Sequence, residues 1–254
     1  MKNTQIIILA AGKGKRMESE EPKALSLLCG KSFLERILNT VYSLNLSIKP
    51  VIVVGYKKER IFEEFGDNHN YAEQLEILGT GHAVLSAKNH THKDHKTVFV
   101  ISGDQPLISP NTIKDIINTH NNENSIVTIG TILLSDFDDW RSSAYTNYGR
   151  IIRDENGGVL SITEFKDANE EERKIKEVNP AIYAFDAEWL WNNINNLKNL
   201  NAQGEYYLTD LVKMAQEQKK KIVAIPVSNI MEIFQPNSKK ELEQLEEICL
   251  KENL

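Results

Sequence analysis

The sequence predicts an α/β protein: a doubly wound, mostly parallel sheet of the Rossmann-like kind, carrying a β-rich insertion lobe. Three observations carry this reading. Short, continuous apolar runs recur at 5–9, 51–54 and 97–101, as expected of strands buried on both faces of a parallel sheet. Segments with helical periodicity separate them at 33–44, 58–65 and 81–88, and this alternation implies right-handed crossovers. After Asp136 the spacing tightens to strand candidates around a hairpin signal.

Taken in chain order, Gln5 to Leu9 forms the first strand and runs straight into a glycine-containing basic loop. The second strand, 51–54, is closed by Gly55, and the third, 97–101, ends at Ser102-Gly103-Asp104. Ser109-Pro110 then opens a helix as N-cap and first-turn proline. Another strand is expected at 126–134. In the second half, 150–153 and 159–162 flank Asn156-Gly157-Gly158, a hairpin signal, and 177–185 is a further strand. Helices at 187–197 and 208–218 precede a late strand at 222–227. Ser238 and Glu241 form a capping box ahead of Leu242, Leu245 and Ile248 at helical spacing. These elements divide the chain into a core domain at 1–237, with its β-rich lobe at about 137–186, and an amphipathic C-terminal helix at 238–254.

Composition narrows the function. The 254 residues carry a formal net charge of -6, which argues against a nucleic-acid partner, since such proteins show a basic excess or face. The opening apolar run is too short for a signal peptide, and no stretch is long enough to span a membrane. Cys29 and Cys249 lack metal-ligand or redox spacing, so free thiols in a reducing cytoplasm are expected.

Against that acidic background, Leu9-Ala10-Ala11-Gly12-Lys13-Gly14-Lys15-Arg16-Met17, with Pro22-Lys23 close behind, stands out. Small residues at a strand's carboxyl end let backbone N–H groups approach a phosphate, and Lys13, Lys15, Arg16 and Lys23 supply positive charge. The spacing fits neither a Walker A loop nor a dinucleotide fingerprint. A solvated basic loop is the plain alternative, and the clustering of four cations favours phosphate. Gln74 and Leu78-Gly79-Thr80-Gly81-His82-Ala83 form a second constellation: a carboxamide offers the donor and acceptor that a pyrimidine edge requires, though a simple turn and helix start would look alike. Asp104, at the end of the third strand, is placed either to hold Mg²⁺ or to cap a turn.

These motifs together resemble the bacterial N-acetylglucosamine-1-phosphate uridylyltransferases, specifically their nucleotidyltransferase domain. The resemblance implies that Leu9, Ala10, Ala11, Gly12 and Lys13 bind the nucleotide. Arg16 and Lys23 would face the triphosphate as catalytic residues, and Gln74, Gly79, Thr80 and Gly103 would complete the nucleotide site. It assigns Asp104 and Asn237 to Mg²⁺, although Phe234-Gln235-Pro236-Asn237-Ser238 departs from the family's usual Gly-Val-Asn-Asn. Gly149, Glu164, Asn179 and Thr209 would surround the sugar. There Asn179-Pro180-Ala181 replaces the family's Asn-Thr-Gly, removing a donor and adding a β-carbon in the acyl pocket.

The implied reaction is transfer of UMP from UTP to N-acetylglucosamine-1-phosphate, and the implied setting is the cytoplasm. A sister enzyme with another sugar or base, and a silent nucleotide-sugar-binding module, are the competing readings. The chain shows no hexapeptide repeat of the family's acetyltransferase domain, so no acetyltransferase activity is expected, and the oligomeric state stays open. The His90, His92, His95 group reads as a polar loop, Trp189 and Trp191 as core, His82 as structural and Cys29 as no nucleophile.

Overall fold

The computed structural model describes residues 1, 3–17, 20–138 and 141–252; residues 139–140 of the predicted lobe and 253–254 of the predicted C-terminal helix lie outside it. Its centre is β1 (Thr4–Leu9), hydrogen-bonded in parallel to β4 (Val51–Val54) on one side and β6 (Thr97–Ser102) on the other. Ile6 and Ile8 point into one core, Ile7 into the other, and all three are fully buried. That alternation is why the run contains no polar residue between Ile6 and Leu9.

On the Ile6 face lie α1 (Phe33–Ser43), α2 (Lys58–Phe65) and α4 (Pro110–Glu123). The opposite face is covered by α3 (Thr80–Ala87), α7 (Ala187–Asn193) and α8 (Asp210–Glu217). Helix starts follow local chemistry. The Ser32 hydroxyl accepts from the Glu35 N–H at α1, and Ser109 accepts from Thr112 at α4 ahead of Pro110. Asp186 caps α7 by accepting from Trp189 N–H.

The sheet is mostly parallel, and the strand expected within the lobe at 177–185 instead enters its centre. β10 (Glu177–Asp186) runs antiparallel between β6 and β7 (Val127–Leu133), while β11 (Ile222–Pro226) pairs with β7 in parallel. β5 (Asn70–Glu73) extends the far edge beside β4. Its sequence, Asn-Tyr-Ala-Glu, has one fully buried residue, Ala72, so no apolar run marks it. A small hairpin, β2 (Leu27–Leu28) and β3 (Lys31–Ser32), follows the basic loop.

The expected hairpin is β8 (Gly149–Arg153) and β9 (Val159–Thr163), and β8 is also bonded to β10. Asp154 organises its turn, accepting from the N–H groups of Asn156 at 2.9 Å and Gly158 at 2.7 Å. Two short helices flank it, α5 (Ser142–Asn147) and α6 (Glu170–Arg173). α9 (Lys239–Glu252) packs Leu245 and Cys249 against Leu28, Phe33 and Phe234. Its capping box is offset: Ser238 accepts from Glu241 N–H, but the Glu241 carboxylate returns to Asn237 N–H at 2.6 Å. No helix among the described residues is long and apolar enough to cross a membrane.

Candidate active site

A cleft opens where β1 and β6 end side by side. Gly103 N–H donates to Leu9 O at 2.8 Å, and a β-carbon on Gly103 would stand 2.8 Å from that same oxygen. Only glycine lets the two strand ends approach this closely. Leu9, Ala10, Ala11, Gly12, Lys23, Gln74, Gly79, Thr80, Gly103 and Asp104 all border the cleft, as do Glu205 and Ile77. Ten residues singled out from sequence therefore share one cavity of about 220 Å³. Space within 4 Å of the position a Gly12 β-carbon would take is open, so a ligand has access to the loop backbone there.

Gln74 reaches the cleft from the end of β5 and is buried. Its amide donates to Gly79 O at 3.1 Å and lies 3.2 Å from His82 Nδ1, which leaves the carbonyl as its acceptor. His82, on the first turn of α3, thus positions Gln74. Gly79 adopts φ +104°, and a β-carbon there would meet Tyr206 O at 2.7 Å. Gly81 N–H donates to the same carbonyl at 2.8 Å, and Thr80 Oγ1 accepts from Leu208 N–H at 3.0 Å. The 201–210 segment is thereby bonded to the Gly79–Gly81 turn.

Lys23, Asp104 and Asn237 meet at the end of the cleft expected to take phosphate. The Lys23 ammonium is ion-paired and hydrogen-bonded to Asp104 Oδ2 and donates to Asn237 Oδ1 at 2.8 Å. Asp104 Oδ1 is buried without a hydrogen-bond partner among the described residues. One carboxylate and one carboxamide oxygen, already gripping a cation, form a hard-oxygen donor pair that suits Mg²⁺ completed by phosphate and water. Three residues distant in sequence converge here, and Lys23 faces the two expected metal ligands as well as the loop.

Two cations sit differently from the expectation. Lys13 is exposed, with its ammonium 5.0 Å from the centre of the Tyr56 ring rather than on the cleft wall. Arg16 is also exposed, outside the cleft lining, and donates through Nη2 to Asn147 Oδ1 at 3.1 Å. It spans from the basic loop to the end of α5. Glu20 and Glu21 anchor the rest of that loop, to Lys57 and Arg60 respectively, each at 3.0 Å.

The sugar-side candidates are assembled by strand pairing. Asn179 on β10 is in register with Gly149 on β8, and Arg150 with Thr163 on β9. Glu164 follows directly, accepting from Thr209 Oγ1 at 3.3 Å and flanking Gly149. Burial holds the Glu164 carboxyl at a pKa of about 7, helped by the nearby charges of Asp167, Asp210 and Glu205 and opposed by the Thr209 hydrogen bond. Asn179 donates to Tyr183 Oη at 2.7 Å and accepts from Ala181 N–H at 3.2 Å. Ala181 lies at φ +63°, a left-handed conformation that L-residues avoid, at a register shift in β10.

Sequence reasoning passed over the polar frame behind these residues. Gln105 and Gln235 both donate to Pro180 O, at 3.0 and 2.7 Å. Gln235 O in turn accepts from Asn237 Nδ2 at 2.8 Å. Gln105 followed the singled-out Asp104, but no local pattern connects it to Gln235. Trp191 donates to His95 Nε2 at 2.8 Å and Trp189 to Gln218 at 2.8 Å, so the tryptophans and His95 serve packing.

Several known proteins are similar to this chain. It is 41% identical over 251 residues to the "Bifunctional protein GlmU" of Thermoanaerobacter pseudethanolicus, covering 99% of this chain and 52% of the relative. It is 38% identical over 240 residues to that of Bacillus velezensis, covering 94% and 51%. The chain therefore spans about half the length of these curated relatives. A solved UDP-glucose pyrophosphorylase complexed with UDP-glucose superposes with a TM-score of 0.79 at 17% identity, covering 98% of this chain and 99% of that one. A CMP:2-keto-3-deoxy-manno-octonic acid synthetase complexed with CTP gives 0.70 at 14%, with the same coverage. At those identities the likeness is one of fold. The MobA-like NTP transferase domain profile matches residues 6–132, half of the sequence, and the chain belongs to that family of nucleotidyltransferases.

Proposed function

We propose that the chain transfers UMP from UTP to N-acetylglucosamine-1-phosphate, releasing pyrophosphate and forming UDP-N-acetylglucosamine. The observation that carries this reading is the convergence of Lys23, Asp104 and Asn237 at the phosphate end of a cleft whose other end holds Gln74 and Gly79. The GlmU relatives, matched along nearly the whole chain, support nucleotidyl transfer to a sugar phosphate, and the choice of sugar and base rests on the motif resemblance described above.

In this reading a phosphate oxygen of the sugar phosphate attacks the α-phosphorus of UTP in line, and the bond from that phosphorus to pyrophosphate breaks. Both partners are anionic, so catalysis consists of positioning and charge neutralisation. Asp104 and Asn237 would hold Mg²⁺, which when bound neutralises phosphate oxygens. Lys23 and Arg16 supply further positive charge, and the Ala10–Gly12 backbone approaches the phosphates. The Gln74 carboxamide and the Gly79 turn receive the pyrimidine. Gly149, Glu164, Asn179 and Thr209 surround the sugar, and Glu164, held near neutrality, offers either a proton or an acceptor to its polar groups.

The left-handed Ala181 beside Asn179 favours a second reading, in which the sugar pocket takes a different hexose phosphate. The deciding experiment measures pyrophosphate release with Mg²⁺ and UTP against N-acetylglucosamine-1-phosphate, glucose-1-phosphate and N-acetylgalactosamine-1-phosphate. Preference for the first supports the proposal, and preference for another moves the assignment to that sugar. UTP binding without turnover on any of them would make the protein a silent binding module.

A further inference from the structure

Among the described residues, two buried side-chain atoms lack any hydrogen-bond partner: Asp104 Oδ1 and Asn147 Nδ2. The first belongs to the cation site. The second is a donor, and a buried donor left unpaired costs roughly 1–3 kcal/mol, so its neighbours matter. Asn147 closes α5, and its Oδ1 accepts from Arg16 Nη2 at 3.1 Å. The next residue, Tyr148, is buried; its hydroxyl donates to Ile233 O and accepts from Gln235 N–H at 3.2 Å. Gln235, whose N–H reaches the Tyr148 hydroxyl, also accepts from Asn237 Nδ2 at 2.8 Å, which puts this segment beside the cation site. One residue further, Gly149 abuts Glu164 and pairs with Asn179. Asn147 therefore stands where the basic loop, the Asp104–Asn237 pair and the sugar-side residues meet.

From this juxtaposition we propose that Asn147 contacts the acceptor substrate: its Nδ2 donates to a phosphate oxygen of the sugar 1-phosphate, while its Oδ1 holds the Arg16 guanidinium against the same phosphate. The proposal rests on the functional reading above and adds a residue to it. An anion is the ligand selected, because an acceptor bound by Nδ2 lies next to a guanidinium. A carboxamide suits the double task, since one side chain both donates and accepts. A carboxylate at this position would still bind Arg16 but would repel the phosphate.

The test is steady-state kinetics with each substrate varied in turn, on the wild type, Asn147→Ala, Asn147→Asp, Arg16→Ala and the Arg16→Ala/Asn147→Ala pair. Both Asn147 variants are expected to raise KM for the sugar phosphate about tenfold or more, with KM for UTP within twofold. Asn147→Ala is expected to lower kcat as well, and that decrease should vanish in the Arg16→Ala background. Thermal unfolding monitors folding, and Asn147→Asp, which keeps the Arg16 acceptor, carries the test if Asn147→Ala unfolds. An active wild type whose Asn147 variants keep their sugar-phosphate KM within twofold overturns this inference alone. A wild type silent on every sugar phosphate overturns the functional reading and this inference with it.

Discussion

The proposed nucleotide side and the proposed sugar side of the site are built in opposite ways. On the nucleotide side, residues 9–12, 74–80 and 103–104 are loops at the ends of adjacent strands, and they need only the β5–β4–β1–β6 order to meet. On the sugar side, Gly149, Glu164, Asn179 and Thr209 come from separate elements, brought together by antiparallel pairing and a hydrogen bond across 45 positions of sequence. The first arrangement fixes backbone near a phosphate, whose shape is common to all nucleotides. The second fixes side chains, which is what discrimination among sugars requires.

Four experiments break or sharpen this contrast. The largest effect is expected at the phosphate end: Lys23→Ala or Asp104→Ala should lower kcat at least about a hundredfold while leaving the thermal midpoint within a few degrees. Near-normal turnover in both would remove the proposed chemistry from the cleft. Next, Gly79→Ala drives a β-carbon against the Tyr206 carbonyl at φ +104°, so a loss of roughly 2–3 kcal/mol in urea unfolding is expected. KM for UTP should rise more than KM for the sugar phosphate.

On the sugar side, Glu164 makes stability depend on pH. Its folded pKa, about 7, lies above the ordinary value of 4.5. Below about pH 4.5 both states hold the proton and the group contributes nothing. As pH rises toward 7 the unfolded carboxyl ionises first, so stability falls, and above 7 the penalty is constant. Glu164→Gln should therefore raise stability by roughly 3 kcal/mol at pH 8 and by little at pH 4. Equal gains at both values would refute the burial argument. The smallest effect is expected at Ala181: its φ of +63° makes Ala181→Gly stabilising by about 1 kcal/mol. A shift in relative kcat/KM among sugar phosphates, with KM for UTP unchanged, would tie the strained residue to sugar choice.

How much was legible follows the same division. The strands β1, β4 and β6 declared themselves because burial on both faces leaves an unbroken apolar run, and the loops after them inherited their place from the strands. β5 did not, because an edge strand with a polar sequence has no such run. The direction of β10 was likewise hidden: Glu177 to Asp186 would read the same in either orientation, and only its neighbours β6 and β7 make it antiparallel. The N-cap and capping-box signals marked where helices begin, yet Glu241 bonds back to Asn237, one residue from the local pattern.

The alternation of strands and helices, the glycine-containing basic loop and the candidate oxygen donors could be read from the sequence alone, because these depend on local periodicity and residue chemistry. Only the tertiary structure decided that Lys23 lies between Asp104 and Asn237, that Arg16 reaches Asn147, and that Gln105 and Gln235 converge on Pro180. Those contacts join residues 55 to 214 positions apart, and the forces that select them are packing and the satisfaction of buried polar groups across the whole fold. No window of sequence contains both partners.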